Sequence, residues 1–186
     1  MSTLHVENLK GLGSGGNANK VIIPTGQTLE VTDNIRHDDM PTGTIIQTVH
    51  VRFTVNTFID ASSFVSIGSL SITPKFSNSK IHVNTTNHVY VQSGNNSTWR
   101  AASIKLLRDS TVVLSGDNYE PGLYAVDGTA RFMQDSTIQY IDTANTTNAL
   151  VYSVQYGRTG TNVTGIRVNH PTYGRQGFML LQEIKQ

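Results

Sequence analysis

The stretch from Ser69 to Val83 constrains the fold of this chain most, because it reads as strand, turn and strand. Leu70 and Ile72 alternate with hydroxyl side chains, as a strand with one buried face requires. Pro74 lacks a backbone N–H and fixes φ, so the strand must end there or lie at a sheet edge. Residues 77–79 are Ser-Asn-Ser, whose side chains bond their own backbone and favour a turn. The alternation then resumes, which predicts two strands joined by a short connection.

The same alternation recurs downstream at the spacing typical of a sandwich or barrel. The predicted strands are 45–55, 64–72, 81–91, 99–107, 111–114, 137–141, 150–156, 163–168 and 178–184. No segment has a convincing helical period, and strands without crossover helices imply antiparallel sheets. The sequence therefore predicts an all-β protein in which residues 44–186 form an antiparallel two-sheet, jelly-roll-like sandwich. Residues 115–135 are its least regular part.

Whole-chain composition narrows the class of protein. Only 37% of the residues are hydrophobic and 15% are charged, yet β-branched and aromatic residues recur throughout, which favours a β-rich fold over disorder. The net charge of +1 is spread over scattered residues and gives no reason to expect nucleic-acid binding. The chain has no cysteine, which excludes disulfides and thiolate metal sites. We also expect no signal peptide and no membrane insertion, since no apolar run approaches the ~20 residues that cross a bilayer.

Residues 1–43 differ from the rest and are interpreted as an extended N-terminal arm. A Gly/Asn-rich link at 11–19 is followed by two short apolar runs around a turn at 24–27. Strands this short are not stable alone in water, so they must pack on the main domain, on symmetry mates or on another protein. The apolar residues expected to anchor this arm are Leu4, Val6, Leu9, Val21, Ile22, Ile23, Leu29 and Val31.

The patterns that could carry catalysis or metal binding are weak. Residues 11–16 match the dinucleotide fingerprint letter for letter, but no helix start follows, so a flexible link is favoured. His82 and His88 could approach each other if their strands pair, and residues 37–39 would add carboxylates. Because no HxH or HExxH spacing is present, isolated surface histidines are favoured over a metal site. Clustering of histidines on a three-fold axis is the alternative.

Nucleophile chemistry finds no support in the sequence either. There is no Gly-x-Ser-x-Gly elbow and no cysteine nucleophile. The acidic residues between positions 109 and 142 neighbour turn residues, as loop carboxylates do, instead of suggesting a glycosidase pair. We therefore expect no enzymatic activity and no cofactor.

Four aromatic residues stand beside turn residues and are candidates for exposure. Aromatic rings flanked by amides can stack on sugar rings, so these residues are candidate glycan contacts. Plugging of the sandwich ends or a subunit contact is the favoured alternative. The four residues are Trp99, Tyr119, Tyr124 and Tyr173.

Several motifs together resemble a domain of tailed-bacteriophage virion proteins. The matching segments are Gly-Thr-Ile-Ile-Gln-Thr at 43–48, Ser-Ile-Thr-Pro at 71–74, Ser-Asn-Ser-Lys-Ile-His-Val at 77–83, Ile-Lys-Leu-Leu-Arg-Asp at 104–109 and Phe-Met-Leu-Leu-Gln-Glu-Ile at 178–184. Residues 15–31 are similar to sequences that precede this domain in cyanophage-type fibre and head proteins. Residues 115–135 have no counterpart, so a partner-specific surface is expected there.

The resemblance implies a homotrimeric β-sandwich on the surface of a virion, made in the host cytoplasm and without catalytic residues. One short arm and one domain favour a capsid decoration (cement) protein or a head-fibre protein. Its arm would bind the major capsid protein or another virion protein. The alternative is the tip of a tail fibre, a receptor-binding module that recognises host surface glycans through the aromatic residues named above.

Overall fold

The computed structural model describes residues 13–15, 22–27, 40–54, 56–60, 63–93, 98–116, 122–125, 131–159, 163–170 and 176–186. The chain divides into two compact units, Met1–Arg36 and His37–Gln186. In the first unit the predicted turn is present, because the Gln27 N–H donates to the Pro24 carbonyl at 3.1 Å. Ile22 and Ile23 precede this turn; both are exposed and neither lies in a strand.

The second unit consists of eleven strands in the described residues, with no helix among them. The strands are β1 (Ile45–Phe53), β2 (Thr57–Ile59), β3 (Val65–Ile72), β4 (Lys80–Ser93), β5 (Thr98–Arg108), β6 (Thr111–Gly116), β7 (Gly122–Ala125), β8 (Arg131–Thr143), β9 (Leu150–Thr159), β10 (Val163–Val168) and β11 (Gly177–Ile184). Every pairing between them is antiparallel. No helix of the described segments is long and apolar enough to span a bilayer.

Strand β4 organises the six-stranded sheet. Along one edge it pairs with β8 from Lys80 to Gln92. Along its other edge it pairs first with β11 and then with β10, so two strands share that edge end to end. β1 extends the sheet beyond β11, and β2 extends it beyond β10. The second sheet has five strands in the order β3-β9-β5-β6, with β7 also paired to β5.

The core lies between the two sheets and is filled by alternate residues of each. Ile81 and Val83 enter it from β4, and Tyr152 and Val154 enter it from β9; all four are fully buried. Burial of a large apolar side chain contributes roughly 1.5–3 kcal/mol, so this layer supplies the main driving force for folding. The predicted all-β, antiparallel two-sheet sandwich is confirmed, as is the inward face predicted for these two strands.

Strand β1 departs from the simple alternation expected of it. The sequence places Ile45 on the same side as the later inward residues, yet Ile45 is exposed and Ile46 is buried. The pairing register with β11 shifts between Ile45 and Gln47. An extra residue at such a bulge reverses the alternation, so the beginning of β1 turns its other side to the core.

Two predicted boundaries change because polar residues join the sheets. β8 begins at Arg131, well before the predicted start at Thr137, and β7 lies within the segment expected to be least regular. The short β2 was not predicted at all. The added part of β8 includes Gln134, Asp135 and Ser136, which have low strand propensity but pair with β4. Long-range pairing overrides local propensity here.

Residues at the start of the second unit are held by its C-terminal strand. The Gly43 N–H donates to the Lys185 carbonyl at 2.8 Å, and the Lys185 N–H donates to the Thr44 carbonyl at 2.9 Å. The Lys185 ammonium also donates to the Met40 carbonyl at 2.6 Å. Residues 40–43, which the sequence assigns to the arm, therefore hydrogen-bond to the end of β11.

Candidate functional surface

Residues of three separate motifs meet at one buried carboxylate. Glu183 is fully buried on the inner side of β11. Its carboxylate accepts the Lys75 N–H at 2.8 and 3.0 Å, the Phe76 N–H at 3.2 Å and the side-chain amide of Gln47. The same amide donates to the Thr73 carbonyl at 2.7 Å. Strand β1, the turn after β3 and the end of β11 are thereby joined.

This cluster gives the motif residues a structural role. A buried carboxylate is tolerated when hydrogen-bond donors surround it, and backbone N–H groups are strong donors to a charged acceptor. The donors near Glu183 come from a turn that Pro74 initiates, so the Thr-Pro motif and the closing Glu-Ile motif stabilise each other. Both oxygens are occupied by the protein itself, which leaves this carboxylate engaged in structure.

A second buried polar cluster links the two sheets near the end of β8. Asp142 accepts hydrogen bonds from the Arg108 guanidinium and from the Tyr152 hydroxyl, both at 2.8 Å, and from the Thr143 N–H at 2.8 Å. Burial, followed by the bond to Asp142 and its charge, raises the pKa of Tyr152 far above its ordinary value. The hydroxyl therefore remains protonated and acts as a donor to the carboxylate.

A third cluster lies where β10 and β11 separate along β4. The Asn169 side chain accepts the His88 N–H at 3.1 Å and donates to the Asn87 side chain at 3.0 Å. Gly177 closes the cluster, since a Cβ there would lie 2.7 and 2.8 Å from the Asn169 amide atoms. Burial raises the pKa of the nearby Tyr156 hydroxyl well above its ordinary value. These groups stabilise the junction of the two strands.

The outer face of the six-stranded sheet carries a different set of residues, and we call it the outer face of the β4 sheet. One cross-strand row of this face runs over four neighbouring strands. It consists of Arg52, Phe178, Thr86 and Thr137. Large exposed hydrophobic residues recur on this face. They are Ile45, Phe58, Met133, Ile141 and Phe178.

Among the side chains that the structure describes, the outer face of the other sheet exposes fewer such residues. It exposes Val112 and Val151, together with small hydroxyl residues at positions 66, 69 and 71 of β3. Large apolar side chains are enriched in the central core of protein contacts. Among these described side chains, the outer face of the β4 sheet therefore has the composition closer to that of a contact.

A groove of about 1020 Å³ runs across the outer face of the β4 sheet. Phe178 and Leu180 line it together with cationic or ionisable side chains from neighbouring strands. The other lining residues are His50, Val51, Arg52, Thr86, His88, Asp135, Gln176 and Gly177. His88 bonds to Asp135 through Nδ1 at 2.9 Å and is 5% exposed.

Two polar atoms on this face have no hydrogen-bond partner within the segments that the structure describes. They are the His88 Nε2 and the Asn84 Oδ1, and both are buried. Both residues belong to the outward-facing series of β4. A buried polar atom without a partner costs roughly 1–3 kcal/mol. Both atoms are already shielded from solvent by the chain itself, so each carries this cost within the single subunit.

The histidines that the structure describes do not form a single-chain metal site. His82 and His88 lie on the same strand, six residues apart, so the pairing that would bring them together does not occur. Among the described residues no group of three or more His, Asp or Glu side chains could hold a metal ion. Sequence reasoning did not single out Arg52, Asp135 and Phe178 as residues of one surface, and for Phe178 the pattern of β11, apolar on both sides, gives no signal.

The predicted site residues fall largely outside the described residues. Of the arm residues, Leu4, Val6, Leu9, Val21, Leu29 and Val31 lie outside them, as do the aromatic residues Tyr119 and Tyr173. Trp99 and Tyr124 are cross-strand partners in the β5–β7 ladder, so the backbone brings these two positions together. The anchoring and glycan roles of all these residues stay predictions.

Comparisons with known proteins add little to this picture. No protein-family model and no curated protein matches the chain. Among solved structures, the chain is similar to the structure of infectious bursal disease virus strain Gt, with 11% identity over 89% of this chain and 47% of that chain and a TM-score of 0.37. It is also similar to the VP2 subviral particle of that virus, with 10% identity over 88% of this chain and 46% of that chain and a TM-score of 0.37. The chain spans less than half the length of these proteins. A likeness this weak carries no conclusion about function.

Proposed function

We propose that the protein is a non-enzymatic structural protein of a bacteriophage virion. In this proposal it is a homotrimeric capsid decoration (cement) or head-fibre protein, anchored through its N-terminal arm. The observation that carries the proposal is the cluster around Glu183. It joins the motifs of Gln47, Thr73 and Glu183, in which the sequence resembles phage virion domains, in one fold. Motifs that stabilise each other in this way support a common domain instead of a chance similarity.

The anchoring step relies on the first unit of the chain. Ile22 and Ile23 are exposed beside the turn at 24–27, and an extended apolar segment can bind by adding a strand to a sheet edge or by filling pockets. Three arms on one trimer would raise the avidity for a capsid without any new contact. The partner is the major capsid protein or another protein of the virion surface.

The test is decoration of capsids that lack this protein. Purified full-length chain should bind them, and Ile22→Asp/Ile23→Asp should lose at least tenfold in affinity while the chain stays folded by circular dichroism. Thr25→Ala, in the same turn, is the matched control and should bind normally. Cryo-electron microscopy of the decorated particle would place the density. Normal decoration by the double variant would contradict the anchoring role, and no density on the virion would contradict the proposal itself.

A receptor-binding module is the second candidate. The pairing of Trp99 with Tyr124 supports it, because two adjacent aromatic residues can form a platform for a sugar ring. Binding to host cells that is lost in Trp99→Ala or Tyr124→Ala, with assembly unchanged, would favour this function over capsid decoration.

A further inference from the structure

The outer face of the β4 sheet combines three features that together indicate a covered surface. It carries five of the exposed large hydrophobic residues, including Phe178 and Ile141. It also carries the groove. Among the described strands, the two outer edges of this sheet have no further partner, because β8 pairs only with β4 and β1 pairs only with β11. We call these edges the β8 margin and the β1 margin. Long unpaired edges promote association unless something covers them.

The charges on this face indicate what covers it. Arg52 lies on β1 at one margin, and Asp135 lies on β8 at the other. The margins of one surface thus carry charges of opposite sign. In a closed ring of identical subunits, each contact joins one margin of a copy to the other margin of the next. The complementary partner for this surface is therefore a second copy of the same chain.

We propose that copies of this chain associate head to tail through the outer face of the β4 sheet. The β1 margin of one copy, at Arg52, lies against the β8 margin of the next, at Asp135. Phe178, Leu180 and Ile141 form the apolar part of the contact. This inference rests on the proposed homotrimer and assigns its interface.

The first experiment compares matched substitutions on the two outer faces of the sandwich. Phe178→Asp and Ile141→Asp place a charge on the outer face of the β4 sheet. Val151→Asp is the control, because Val151 is 38% exposed on the opposite face and Phe178 is 41% exposed. Native mass spectrometry and light scattering should give a trimer for the wild type and for the control. Phe178→Asp and Ile141→Asp should dissociate into monomers at protein concentrations at least tenfold higher than those at which the wild type dissociates.

The second experiment reports the contact by cross-linking, so its result does not depend on how a substitution changes the folding stability of the subunit. The chain has no cysteine, so an engineered pair reports one contact without interference. Arg52→Cys and Asp135→Cys lie three strands apart in one copy, roughly 15 Å, which is too far for a disulfide within the chain. Under oxidation the double variant should form covalent oligomers up to the trimer. The control pair Arg52→Cys/Ser69→Cys, with its second cysteine on β3, should not.

The outcomes separate this inference from the function on which it rests. A wild-type trimer in which Phe178→Asp and Val151→Asp behave alike, or in which the two cysteine pairs cross-link equally, overturns the assigned interface and leaves the homotrimer intact. A wild type that is monomeric at all concentrations overturns both. Dissociation of the Phe178 variant with specific cross-linking of the 52/135 pair supports the interface.

Discussion

Replacement of Glu183 tests the claim that one buried carboxylate joins three segments of the sandwich. In Glu183→Ala the N–H groups of Lys75 and Phe76 and the amide of Gln47 lose their acceptor. These donors are only partly buried, and the Gln47 amide keeps its bond to the Thr73 carbonyl, so each lost bond costs about 1 kcal/mol, at the lower end of the usual range. Relief of the cost of burying a carboxylate offsets part of the sum, so we expect a loss of about 2–3 kcal/mol in the free energy of unfolding.

A loss of this size is a large share of the stability of an ordinary domain, about 5–15 kcal/mol. Urea unfolding followed by circular dichroism measures it, at one fixed protein concentration because assembly also stabilises the chain. Glu183→Gln keeps the shape and one acceptor oxygen but presents an amide to donors, so its loss should be smaller than that of alanine. Ser69→Ala, an exposed position on β3, is the control and should change stability by less than about 0.5 kcal/mol.

Two results would refute the reasoning. If Glu183→Ala unfolds at the same urea concentration as the wild type, the cluster does not join the segments energetically. If the alanine and glutamine variants lose equal stability, the donors do not depend on the acceptor oxygen. Either result would also remove the observation that carries the proposed function.

Two further predictions follow from the packing and the ionisation of the core. Gly68→Ala should lower Tm by several degrees, because the added Cβ would overlap the ring of Phe53, whose Cζ would lie 2.8 Å away. Adding Phe53→Leu to the same chain should restore part of the lost Tm. Equal Tm values for Gly68→Ala and the wild type would contradict this reasoning. The raised pKa of Tyr152 keeps its hydroxyl protonated in the folded state, whereas the unfolded chain ionises it above pH about 10. Stability is therefore unaffected by this group below pH 10 and falls above it, by about 1.4 kcal/mol per pH unit. Tyr152→Phe should flatten that decline, and an unchanged slope would contradict the burial of the hydroxyl.

The buried polar clusters explain why the sequence offers so few candidates for chemistry. Asp142 and Tyr152 would be reasonable catalytic groups if they faced a groove, but each is engaged by the other and by Arg108. His88 is similarly engaged by Asp135 on one ring nitrogen. The ionisable residues thus hold strands together, and the groove presents apolar side chains beside a basic residue, Arg52, and an acidic one, Asp135. Such a surface is suited to binding another molecule.

Much of the sandwich could be read from local sequence. Alternation at Ile81–Val83 and at Leu150–Tyr156 fixed which side chains face the core, because a strand has a period of two and only one side is buried. Turn residues also marked real turns: Asp109 has φ of 54° at the hairpin between β5 and β6, and the Ser79 N–H donates to the Phe76 carbonyl at 3.2 Å. These features depend on a few neighbouring residues, which the sequence specifies directly.

The tertiary structure alone decided which strands pair and what each face meets. Strand β11 has apolar residues on both sides, so its own pattern cannot show that Glu183 is buried and Phe178 exposed; the register with β1 and β4 selects the face. The bulge at Ile45 and the polar first half of β8 are fixed in the same way, by partners far along the chain. Contacts of this kind join residues from about 40 to about 140 positions apart, and local propensity carries no information about them.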